Sequence, residues 1–160
     1  MLFLILCTLN AIEEIRVMQE SLIKSSFKYC EEIAKNHYEN FPVASFLVPK
    51  NKRKYIFSIY AFARAADDFA DEPAIEGGKE KRLVLLDEWN GKLRDCYKGK
   101  AYDPIFIALS RTVEECKVPI ETLEKVIRSY YTGNILSIFP SISQMFFLEG
   151  AEGGNEDQVL

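Results

Sequence analysis

The chain has 160 residues, a net charge of −4 and a near-even split between apolar and other residues. That is long enough for one domain with its own core. The acidic balance and the lack of any basic stripe exclude a nucleic-acid partner. Four cysteines, Cys7, Cys30, Cys96 and Cys116, lie scattered with neither metal-type nor framework spacing. They read as reduced thiols of a cytoplasmic protein.

The chain opens on MLFLILC, residues 1–7, which is apolar but short. It has no basic region before it and no small-residue cleavage site after it, so it is neither a signal peptide nor a spanning helix. Packing on the domain and peripheral contact with the inner membrane surface both remain open. Met18 offers a second start, and residues 1–18 are taken as an N-terminal extension. From Ala11 to Glu39, Ile12, Ile15, Leu22, Ile23, Phe27, Cys30, Ile33, Ala34 and His37 recur at helical spacing. Pro42 ends that helix, because the residue before a proline avoids the α region. Phe41 to Lys50 is a connector.

Asn51 to Glu72 is the central helix, begun by the basic turn Lys52, Arg53 and Lys54. That turn reads as a solvated face, with anionic lipid or diphosphate as the competing contact. Five alanines from Ala61 to Ala70 keep the helix thin. Tyr60, Arg64, Asp67 and Asp71 fall within about 60° of one another at 100° per residue, with Asp68 beside them. Carboxylates at i,i+4 repel by about 0.2–0.5 kcal/mol on an isolated helix, and more when dehydrated. Either solvent or a divalent cation must offset that. Mg²⁺ takes carboxylate oxygens, and an arginine on the same stripe can grip a phosphate bidentately.

Lys79 to Tyr97 is the next helix, with Arg82, Leu86, Trp89, Leu93 and Cys96 on its apolar stripe. Trp89 reads as a core residue, and Gly99 as the C-cap. Asp103-Pro104 predicts an N-cap followed by proline at N1. The helix it opens carries Ile105, Leu109, Val113 and Cys116. Pro119 begins another, with Ile120, Leu123, Val126, Ile127 and Tyr130, closed by Gly133. Asn134 to Leu148 is apolar without clean periodicity, and Glu149 to Leu160 is Gly-rich and acidic. Residues 134–160 are expected to be a divergent, poorly ordered tail. The whole is all-α, about five antiparallel helices joined by short loops.

Two stretches carry a family resemblance. YAFARAADDFADE, residues 60–72, resembles the first aspartate-rich motif of the squalene/phytoene synthase family. HYENFPVASFLVP, residues 37–49, is similar to the hydroxysqualene synthase branch of hopanoid synthesis more than to the phytoene synthases. The match runs from about Phe27 to about Ile127, so residues 19–133 are taken as the N-terminal part of such a domain. The family's second aspartate motif has no counterpart in the sequence.

The resemblance implies a partial α-helical terpenoid synthase fold and a Mg²⁺-dependent prenyltransferase acting on farnesyl diphosphate or presqualene diphosphate. It implies metal ligation by Asp67, Asp68 and Asp71. Tyr60 and Arg64 would contact the diphosphate and serve catalysis. His37 would line the diphosphate side of the substrate site, and Phe41 its apolar wall. The partner expected is an isoprenoid diphosphate. Two other readings stand beside this one: a non-catalytic helical interaction module, and half of a split enzyme completed by a chain carrying the missing aspartate helix.

Overall fold

The structure, a computed structural model, describes residues 1–36, 49–71 and 78–132; the side chains of residues 2–7, 70 and 71 fall outside the description. Within it are five helices and no strand: α1 Leu2–Asn36, α2 Arg53–Asp71, α3 Gly78–Tyr97, α4 Pro104–Glu115 and α5 Ile120–Thr132. The all-α expectation holds. Four of the helices match the apolar periodicity to within a few residues. The exception is α1, which begins at Leu2 rather than Ala11 and runs unbroken through residue 18. His37, Phe41, Gly133 and the stretch 134–160 lie outside the described residues.

Helix α2 is the hub. It packs on α1, α3, α4 and α5. Its alanines let the neighbours close in, and Ala61 and Ala66 are fully buried. Phe62, also fully buried, stacks on Trp89 of α3 at 5.9 Å and meets the edge of Phe106 of α4 at 6.0 Å. Phe69 adds an edge-on contact to Trp89 at 5.3 Å. The Trp89 indole N–H donates to the Phe62 carbonyl at 3.3 Å. The tryptophan is thus a core residue, as its stripe predicts.

Helix pairs run antiparallel wherever two contacts fix the direction. Ser58 pairs with Thr112 at 2.7 Å and Phe62 with Phe106, which sets α2 against α4. Asp87 accepts from Tyr131, Arg94 pairs with Glu124, and Tyr97 donates to the Val118 carbonyl, which sets α3 against α5. The Ser58–Thr112 pair is buried. Neither hydroxyl could be left alone there without a desolvation cost.

The turn into α4 forms as its sequence predicts. Asp103 sits in extended conformation and accepts from the Ile105 amide at 2.9 Å, with Pro104 in the first turn. Gly99 takes φ +75 after α3, and its amide donates to the Cys96 carbonyl. Asp103→Ala is expected to lower stability by about 1 kcal/mol, whereas Asp103→Asn holds it within a few tenths. Urea titrations of the two variants check this, and equal losses in both would count against the cap.

Cys30 and Cys96 are buried free thiols. Burial pushes the Cys30 thiol up to about 12 and the Cys96 thiol to about 11. They are core groups, without the thiolate character of a nucleophile. Among the described residues, no helix is long and apolar enough to cross a membrane.

Candidate functional site

The polar face of α2 carries the residues that the spacing singles out. Helix α2 is continuous from Arg53 to Asp71, so Tyr60, Arg64, Asp67 and Asp71 share one side of one helix. Arg64 is the centre of the group. One guanidinium nitrogen lies 2.8 Å from Asp67 Oδ2, and the other lies 2.7 Å from Asp68 Oδ1. The fork therefore bridges two neighbouring carboxylates, one at i+3 and one at i+4. Its third nitrogen, Nε, is buried and has no hydrogen-bond partner among the described residues.

The electrostatics follow from that packing. Asp67 is mostly covered, at 22% exposure, and Asp68 is nearly half exposed. Arg64 engages one oxygen of each, which offsets the mutual repulsion of adjacent carboxylates. Partial burial raises the Tyr60 hydroxyl above its usual range; Arg64 opposes that, while Asp67 and Asp68 add to it. Tyr60 thus stays a neutral donor in the field of all three. Asp71 closes the helix, and its side chain lies outside the described residues, as do His37 and Phe41. No cluster of three or more His, Cys, Asp or Glu side chains suited to a metal occurs among the described residues.

Two features of this face are not legible in the spacing. Tyr130 of α5 reaches across to donate to the Ala63 carbonyl at 3.0 Å, one turn before Asp67. In the sequence it is only the last member of an apolar stripe. Asp68, placed beside the stripe by angle, proves as much a partner of Arg64 as Asp67 is. A separate hollow of about 360 Å³ lies at the start of α4, lined by Lys92, Asp95, Lys100, Tyr102, Asp103 and Phe106 among others. It contains none of the expected site residues.

The all-α bundle, with an arginine and adjacent carboxylates on the polar side of its hub helix, has the terpenoid-synthase-like fold of its structural neighbour. The squalene synthase HpnC from Alicyclobacillus acidocaldarius superposes with a TM-score of 0.63 at 34% identity, over 69% of this chain and 40% of that one. Phytoene synthase 3 of Zea mays, a chloroplastic protein, is 30% identical over 66% of this chain and 24% of its own length. The rice phytoene synthase 2 is 29% identical over 66% of this chain and 26% of its own. The sequence pattern of the squalene/phytoene synthase family matches residues 34–133. The chain belongs to that family. It spans about a quarter of the length of these plant relatives.

Proposed function

We propose that this chain supplies the first carboxylate helix of a squalene-type prenyltransferase and binds an isoprenoid diphosphate there through Mg²⁺. The observation that carries the reading is Arg64 spanning Asp67 and Asp68 on the polar, partly covered side of the hub helix. A carboxylate pair is the oxygen donor set that Mg²⁺ accepts, and one oxygen of each is engaged by Arg64. The metal, when bound, would supply positive charge for the departing diphosphate.

The chain's own groups have separate tasks. Arg64 grips diphosphate oxygens by its planar fork, Tyr60 donates a hydrogen bond, and Asp67, Asp68 and Asp71 hold the cation. His37 and Phe41, by resemblance, would contact the diphosphate and the isoprenoid. The likeness to a squalene synthase favours the squalene branch; farnesyl or presqualene diphosphate and the hopanoid role come from the resemblance of residues 37–49 and 60–72 alone. A cation held by the carboxylates of one helix, together with Arg64, would neutralise a leaving diphosphate from one side only. Ionisation needs preorganised charge on several sides, in a site closed to water. Binding without turnover is therefore the expected behaviour of these 160 residues by themselves. Turnover needs the second aspartate helix, from further polypeptide.

Calorimetric titration of farnesyl diphosphate into the purified chain, with Mg²⁺ and with EDTA, tests this, followed by a product assay. Weak binding that EDTA abolishes, with no squalene-type product, is expected. Binding indifferent to EDTA overturns the metal assignment, and product overturns the need for a second helix.

A further inference from the structure

The N-terminal half of α1 presents an apolar stripe that nothing among the described residues covers. Leu9, Ile12, Ile15, Met18 and Leu22 are all more than half exposed. In the second half of the same helix, Phe27 and Cys30 are buried and Ile33 packs on the core. Leu9, Ile12 and Ile15 precede Phe27, Cys30 and Ile33 by about five turns, so the two triplets lie on one line along the helix. The line that seats α1 on the bundle thus continues outward onto no other helix among the described residues. The family match begins only at residue 34, so this arm precedes the shared region.

We infer that the arm is a self-association surface, on which two copies of this chain pair their α1 helices antiparallel. Apolar patches of several hundred Å² mark interaction sites rather than ordinary surface. Two such stripes face to face bury on the order of 1,000 Å² in total, where specific interfaces begin. Charge selects the occupant and the direction. Along residues 8–22, Glu13, Glu14 and Glu20 face only one cation, Arg16. Helices that lie on anionic membranes carry the opposite bias. Glu13 and Arg16 sit on one flank of the stripe and pair at 3.3 Å within the helix. An antiparallel pair brings the same flank of each copy together, running oppositely. A two-fold axis between Glu14 and Ile15 then sets Arg16 of each copy against Glu13 of the other, twice. A parallel pair brings opposite flanks together and makes neither contact.

Sedimentation velocity of the full chain over a concentration series tests this. The wild type is expected to form a dimer, and Ile12→Glu/Ile15→Glu to be monomeric, with the melting temperature of the wild type diluted to its monomer. Arg16→Glu is expected to weaken dimerisation about tenfold, as two lost reciprocal pairs imply. The swap Glu13→Arg/Arg16→Glu restores it while keeping the pair within each helix. A wild type that stays monomeric overturns the inference, whether the stripe is then covered by residues 133–160 or floats with phosphatidylcholine vesicles. A dimer that survives Ile12→Glu/Ile15→Glu, or that the charge swap fails to rescue, overturns it too.

Discussion

Arg64→Ala is expected to separate metal binding from diphosphate binding. In the wild type the guanidinium occupies one oxygen of Asp67 and one of Asp68, so an incoming Mg²⁺ must approach a positive charge and share its ligands. Removing the arginine leaves two adjacent carboxylates uncompensated. Mg²⁺ alone is then expected to bind several-fold tighter, since like charges close together gain most from a cation. Diphosphate is expected to bind at least tenfold more weakly. A charge-assisted hydrogen bond contributes about 1.5–3 kcal/mol, and the fork makes two. Arg64→Lys should fall between, because it keeps the charge and loses the planar fork. Asp67→Ala should lose both metal and diphosphate binding. Calorimetry with Mg²⁺ alone, then with inorganic diphosphate in saturating Mg²⁺, reads the two effects apart. If Arg64→Ala binds diphosphate like the wild type, the residue is only an internal counter-ion of the helix.

Phe62→Ala is expected to cost about 3–5 kcal/mol. The ring is fully buried where α2, α3 and α4 meet, stacked on Trp89 and edge-on to Phe106. Deleting it leaves a cavity at the hub, and neighbours held by Tyr130–Ala63 and Ser58–Thr112 cannot collapse freely into the space. A domain of this size has roughly 5–15 kcal/mol in hand, so most of the margin would go. Phe62→Leu keeps most of the volume and should cost much less, about 1.5 kcal/mol or under. Tyr102→Ala, at a residue 88% exposed, should stay within about 0.5 kcal/mol. Trp89 is the only tryptophan and touches Phe62 directly, so its fluorescence reports the unfolding transition during urea titration. Equal losses for Phe62→Ala and Tyr102→Ala would mean that this cluster is not the core.

The sequence by itself determined the helices and the angular order of residues on each. Apolar spacing of three and four marks the buried side of α3, α4 and α5, because side chains at those spacings stack along one line. Asp103-Pro104 announces the start of α4, because the capping chemistry is local. Tyr60, Arg64 and Asp67 could be placed on one face of α2 from their positions alone, since the angle around a single axis depends on residue number and nothing else.

Tertiary structure decided what each line meets. Spacing allows Arg64 to reach Asp67 at i+3 or Asp68 at i+4, and the folded site has it hold both. Trp89 reads as an apolar side chain, yet which rings enclose it depends on the turns that bring α2 and α4 alongside. The Tyr130–Ala63 bond joins residues far apart in the chain. Periodicity also draws one stripe along α1, without saying that Phe27, Cys30 and Ile33 would be covered while Leu9, Ile12 and Ile15 would not. Local spacing fixes rotation about a helix axis; the path of the chain between helices fixes which of those rotated faces ever touch.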